Sequence, residues 1–184
     1  TADAALLSLI YPANLMQLSL TEKKNILKEV SSLSGSYGIK RYVGDSYQSA
    51  NFWFNHINTD TDSGSFLKRE KSFIKYTEPQ WFFDSWFALS SLQIYKETGD
   101  LFFYKNAVKY MNRSLSQLTD SNMYAANTDK LESMQLPESY NFIYNGNMII
   151  AIPSPITPLN WAKASLTILL KEMESVSRKH NGDE

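Results

Sequence analysis

Three short stretches of this chain carry groups that could bind and activate a polar substrate. The first is Arg41-Tyr42-Val43-Gly44-Asp45-Ser46-Tyr47, which gathers a guanidinium, a carboxylate and two phenols. Arginine presents a rigid fork of donors to oxygen atoms, and aspartate accepts from hydroxyls. The same spacing would also make a plain Arg41–Asp45 salt bridge that holds a loop. The second stretch is Glu78-Pro79-Gln80-Trp81-Phe82. Proline suits the first turn of a helix, so a helix start is predicted here with Glu78 at its positive end. There Glu78 either serves a site or only caps the helix, and Trp81 either faces a ligand or only packs. The third is Pro137-Glu138-Ser139, in a bend outside any helical pattern. A carboxylate fixed beside proline can hold one water and take its proton, as a general base does. A solvated loop glutamate is the plainer alternative.

The elements around these stretches read as helices. A short apolar run from Asp3 to Ile10 ends at Tyr11-Pro12. Ser19-Leu20-Thr21-Glu22 matches a capping box, and Ile26, Leu27, Val30 and Leu33 follow on one helical face before Gly35. A helix opened by Pro79 should carry Phe82, Phe83, Trp86, Leu89, Leu92 and Tyr95 as far as Gly99. Asp100 can cap the next, with Ala107, Val108, Met111, Leu115 and Leu118 as its buried stripe. Pro158 should open the last helix, through Trp161, Leu166, Leu169 and Leu170 toward Met173. Between the helices, 36–77 and 120–156 are long, polar and tyrosine-bearing, as functional loops often are. Phe142–Tyr144 and Met148–Ile152 flank Asn145-Gly146, a hairpin signal. The expected fold class is all-α, with about five helices and the chemistry in the loops.

Composition narrows the field. Hydrophobic residues make up 43% of the 184, enough for a packed core. A net charge of −1 gives no general pull toward nucleic acid or acidic lipid. Eleven Tyr, ten Phe and four Trp supply rings for packing or for stacking against a ligand. The absence of cysteine removes disulfides, zinc–thiolate sites and cysteine nucleophiles. No apolar run reaches the roughly 20 residues of a membrane-spanning helix. Asn58-Thr59-Asp60-Thr61-Asp62-Ser63-Gly64 resembles a calcium loop only faintly, because Arg69 stands where an acidic ligand is needed. His56 and His180 are too few for a histidine metal site. No cofactor and no metal are expected.

Taken in order, the three stretches resemble the glucoamylase-type glycoside hydrolases of family 15. Those enzymes share an Arg-Tyr-x-x-Asp-x-Tyr segment, a Pro-Trp-Phe segment, and a Pro-or-Ala-Glu-Gln loop followed by a Leu-x-Trp-x-x-Ala helix. Here the counterparts are Arg41–Tyr47, Pro79-Gln80-Trp81-Phe82, Pro137-Glu138-Ser139 and Leu159-Asn160-Trp161-Ala162-Lys163-Ala164. Asp3-Ala4-Ala5-Leu6-Leu7 is similar to a helix that precedes the arginine segment in bacterial members. The resemblance spans nearly the whole chain. Two features depart from the family: Ser139 replaces the usual Gln, and the segment between Tyr47 and Glu78 is much longer than in fungal members.

The resemblance implies an (α/α)6 toroid, of which residues 1–184 would be the C-terminal portion, about half. It implies an inverting, exo-acting hydrolase that frees β-D-glucose from the non-reducing ends of α-1,4-glucans such as starch, glycogen or maltodextrin. Glu138 takes the place of the general base. Arg41 matches the arginine that grips the terminal glucose, and Asp45 the carboxylate that supports it. Tyr42, Tyr47 and Trp81 match aromatics around the pocket, and Glu78 is the nearest internal stand-in for the acid. In an inverting enzyme the acid and base carboxyls stand roughly 6.5–9.5 Å apart to admit a water. The family's acid lies upstream of the matched segments, so the expected partners are an α-glucan or maltooligosaccharide and an N-terminal fragment of the same enzyme. The opening Thr1-Ala2-Asp3 reads like the interior of a longer protein. Secretion or a periplasmic location is expected from such a substrate, with the cytoplasm as the alternative. Two other readings stay open. One is a non-catalytic, sugar-binding or regulatory relative of the phosphorylase kinase α-subunit domain. The other is a hydrolase for α-1,6 or trehalose linkages.

Overall fold

Local signals start and stop most of the helices. The computed structural model describes residues 2–47, 73–145 and 147–181, together with Leu67 and Lys71. The faint calcium loop and His56 lie outside the described residues. Asp3 caps a short 3-10 turn, Ala4–Leu6, that runs into α1, Leu7–Ile10. The helix α2, Leu20–Ser31, begins at the expected capping box, with the Ser19 hydroxyl accepting from the Glu22 amide and the Glu22 carboxylate from the Ser19 amide. The helix α3, Asp84–Thr98, stops at Gly99, whose φ of 68° lies in the left-handed region open to glycine. Asp100 then caps α4, Leu101–Leu115, by accepting from the Phe102 amide. The last helix, α5, is Asn160–Asn181.

Three strands complete the fold: β1, Gln80–Trp81; β2, Ser139–Asn145; and β3, Met148–Pro153. They form one antiparallel sheet in the order β1-β2-β3. The expected hairpin is present, with Asn145 opposite Met148. The described residues thus make a helix-rich fold of five α-helices and a small sheet, and all-α is too narrow a class for it.

The segment at Pro79 departs most from expectation. It opens no helix. Trp81 exchanges both backbone hydrogen bonds with Ile39, at 2.8 and 3.1 Å, and the Phe82 amide donates to the Glu138 carbonyl at 3.4 Å. Proline already disfavours helical backbone at Glu78, and strand partners on both sides complete the choice. The helix begins only at Asp84.

The core gathers around α3, which is buried on nearly all sides. Small residues Ser85, Ala88, Ser90 and Ser91 let its neighbours approach, while Phe87, Leu89, Leu92 and Ile94 fill the gaps. Helices α1, α2, α4 and α5 all pack against it. On α4 the deepest stripe is Phe103, Ala107, Tyr110 and Ser114. Val108, Met111, Leu115 and Leu118 flank that stripe half-buried. On α5 the stripe is Ala162, Leu166, Leu169, Met173 and Val176, at helical spacing. Trp161 and Leu170 are 52% and 41% exposed. Ile168 on α5 and Met148, Ile149 and Ile150 on β3 are also exposed. No described helix is long and apolar enough to cross a membrane.

Candidate functional site

The turn 35–38 lies on β1, and Ile39 pairs with Trp81, so the Arg41 loop starts beside that strand. The other end of this stretch is tied to the N-terminal turn, where the Ala4 amide donates to the Arg41 carbonyl at 2.8 Å. Asp45 is fully buried at the centre. Arg41 donates to it twice, Nε to Oδ2 at 2.7 Å and Nη2 to Oδ1 at 2.5 Å. The Trp81 indole N–H donates to Oδ2 at 3.2 Å, and the Tyr47 amide to Oδ1 at 3.1 Å. One carboxylate therefore organises the whole group.

Aromatic rings surround the guanidinium. Its central carbon lies 4.4 Å from the Trp81 ring centroid, 4.9 Å from Tyr47 and 5.7 Å from Tyr42. Tyr47 and Trp81 stack with centroids 5.6 Å apart. Burial pulls the Arg41 pKa down, but the Asp45 carboxylate more than offsets it and raises it above the usual arginine value. The Arg41 side chain is 31% exposed, and its Nη1 makes no hydrogen bond among the described residues. The arrangement is thus a structural salt bridge whose guanidinium stays partly exposed. The two expectations for Arg41 and Asp45 are compatible.

Glu78 behaves differently from its expected role. It sits in the loop before β1, 2% exposed, rather than at a helix N-terminus. Its Oε2 pairs with Lys40 Nζ at 3.0 Å, and its Oε1 accepts from the Gly44 amide at 3.2 Å. Glu78 thereby pins the Arg41 loop from beneath. Burial pushes its carboxyl up, but the amide bonds and Lys40 prevail and hold it below the usual glutamate value. The stability this contributes is whole above the unfolded pKa of about 4.3 and is lost as pH falls through the lower folded value. Thermal unfolding followed from about pH 6 down to about pH 3 should show that loss. In Glu78→Gln the acid limb should be flatter. An unchanged limb would mean that Glu78 is not held this way.

Glu138 lies next to Ser139, the residue paired with Trp81. Its backbone is held on both sides: its amide donates to the Ile156 carbonyl at 3.0 Å, and its carbonyl accepts from Phe82. Its side chain is half-buried. Ser139 is buried and donates its hydroxyl to Asn141 Oδ1 at 2.8 Å. Tyr140, next along β2, donates to the Gln117 carbonyl at 3.0 Å. Burial pushes that phenol up to about 12, so it stays protonated. Ordered strand pairing thus links Arg41, Trp81 and Glu138 through neighbouring backbones.

The local charges cancel, with Lys40 and Arg41 facing Asp45 and Glu78. Two clefts of about 400 and 330 Å³ lie against other residues, one at Tyr95 and Val176 and one at Leu27 and Phe103. Among the described residues, no cluster of His, Asp and Glu could hold a metal ion.

A buried network beside the site was not among the expected site residues. Asp84, fully buried at the start of α3, accepts from Arg113 Nε and, at 2.9 Å, from Gln117 Nε2. Burial raises the Asp84 carboxyl, and Arg113 and Gln117 only partly oppose it. No family model, curated protein or solved structure matches this chain.

Proposed function

We propose that this chain is the C-terminal portion of the (α/α)6 catalytic domain of a glucoamylase-like, inverting, exo-acting glycoside hydrolase. Its substrate is an α-1,4-glucan or maltooligosaccharide, from whose non-reducing end it releases β-D-glucose. The observation that carries this reading is the Arg41 group. A partly exposed guanidinium is fixed by buried Asp45 against Tyr47 and Trp81, and Trp81 pairs in β1 with Ser139, the neighbour of Glu138. Hydroxyls of a terminal glucose would meet Arg41 Nη1, and the aromatic edges would limit its pose. Glu138 is the base that draws the proton from the attacking water.

Glu78 is a poor acid for this chemistry. A donor of protons at neutral pH needs a raised pKa, and Lys40 and two amides lower that of Glu78. The acid is therefore assigned to an N-terminal portion of the same enzyme. The exposed Trp161 and Ile168, which share one flank of α5, would give that portion an apolar strip to cover. In the toroid, α3 and α4 would form one of the six helical hairpins.

The test is maltotriose hydrolysis by the complete enzyme, with the anomer of the released glucose read by NMR. β-Glucose is expected. α-Glucose would overturn inversion. Binding of maltotriose without release would instead favour the regulatory relative of the phosphorylase kinase domain, and absence of both would end the assignment.

A further inference from the structure

We propose that Arg113 and Gln117 are positioning residues that set the register of the Arg41 loop against the strand bearing Trp81. This rests on the sugar-binding reading above and adds to it residues that touch no sugar.

Arg113, in the last turn of α4, and Gln117, in the turn just after it, reach the same short turn, residues 35–38. Arg113 Nη2 donates to the Gly35 carbonyl at 2.7 Å and to the Gly38 carbonyl at 3.2 Å. Gln117 Nε2 donates to the Tyr37 carbonyl at 2.8 Å and to Asp84 Oδ2 at 2.9 Å, which uses both of its hydrogens. Arg113 Nε is anchored on the other oxygen of Asp84. Three carbonyls of one turn are thus gripped by directional donors, two of them by a guanidinium.

The turn has no slack on its other side. It closes through the Gly35 amide on the Gly38 carbonyl at 2.8 Å. A Cβ at Gly38 would stand 2.4 Å from the Trp81 carbonyl oxygen, and one at Gly35 2.1 Å from Gln80 Oε1. Gln80 Oε1 in turn accepts from the Tyr37 amide at 2.8 Å. Ile39 follows and makes its double hydrogen bond with Trp81, and Arg41 comes two residues later. Any displacement of the turn is passed along this backbone to the guanidinium. Apolar packing would fix the spacing of these elements but leave them free to slide. Hydrogen bonds to particular carbonyls do not.

The readout is the Trp81 indole N–H, which donates to Asp45 and so reports how Arg41, Asp45 and Trp81 sit together. Its NMR signal, assigned with Trp81→Phe, is compared in wild type, Arg113→Met, Arg113→Lys and Gln117→Leu, alongside maltotriose titrations and melting temperatures. Lys23→Met, which removes the remote ion pair with Glu97, is the stability control. Arg113→Lys keeps a cation opposite Asp84 and should recover most of the melting temperature lost in Arg113→Met. An ammonium is a single point and cannot stand where both Nε and Nη2 do, so it loses either Asp84 or the carbonyls and the indole signal should still move. Maltotriose affinity should fall on the order of tenfold or more. Lys23→Met should melt lower with the indole signal in place. An indole signal in Arg113→Lys and Gln117→Leu that superimposes on wild type would overturn the proposal. Should wild type bind no maltotriose, the sugar reading fails, and the indole comparison still decides the positioning role.

Discussion

Glu138→Gln is expected to lower glucose release from maltotriose by roughly 10²–10⁴-fold, the usual worth of a general base. That corresponds to about 3–5 kcal/mol of lost transition-state stabilisation. The carboxamide has nearly the same shape as the carboxylate but cannot take a proton from water. The backbone of residue 138 keeps its hydrogen bonds to the Ile156 carbonyl and the Phe82 amide, and the strand pairing at Ser139, in this variant. The loss should therefore fall on kcat, with KM nearly unchanged, since ground-state contacts to the sugar are assigned to Arg41 and the aromatic rings. Steady-state kinetics of the complete enzyme would read this directly. A variant with unaltered kcat would remove Glu138 from the reaction. Equal collapse of kcat and melting temperature would assign it a purely structural role.

What could be read from the sequence was local. The capping box at Ser19 and Glu22, the Gly99-Asp100 stop and start, and the Asn145-Gly146 hairpin each depend on residues within one turn of each other. The Arg41–Asp45 bridge was visible for the same reason. What could not be read was long-range. Pro79-Gln80-Trp81 has the look of a helix start, yet its partners Ile39 and Ser139 lie far along the chain in both directions, and their pairing decided the conformation. Glu78 followed its strand into the interior, where Lys40 and Gly44 make it a brace for the loop. On α4, apolarity alone favoured Val108, Met111 and Leu115. The true inner line instead carries Tyr110 and Ser114, with Arg113 and Gln117 beside them serving Asp84 and the turn at 35–38. Polar residues one turn apart near an apolar stripe were the only available hint of that network, and such pairs are common on exposed helix faces too.

Asp45→Asn should be the most destabilising small change in the site, at about 3 kcal/mol, the lower end of the range for breaking a buried ion pair. Every group around this carboxylate is a donor: Arg41 Nε and Nη2, Trp81 Nε1 and the Tyr47 amide. An asparagine fits the same space but must turn its own amide hydrogens toward one of those donors, with no water to intervene at a fully buried position. Partial exposure of Arg41 lets solvent recover some of the loss, which is why the lower end applies. Urea unfolding should show a lower midpoint at constant slope. A cost under about 1 kcal/mol would mean that the pair acts like an exposed salt bridge. Replacing both partners, as Arg41→Met with Asp45→Leu, leaves no buried charge without its counter-ion but strips the Trp81 indole N–H and the Tyr47 amide of their acceptor, so it should cost at least as much as Asp45→Asn. Stability and maltotriose recognition are coupled at this carboxylate. Asp45→Asn should lose both together, since the carboxylate that holds the loop is also the one that aims the arginine.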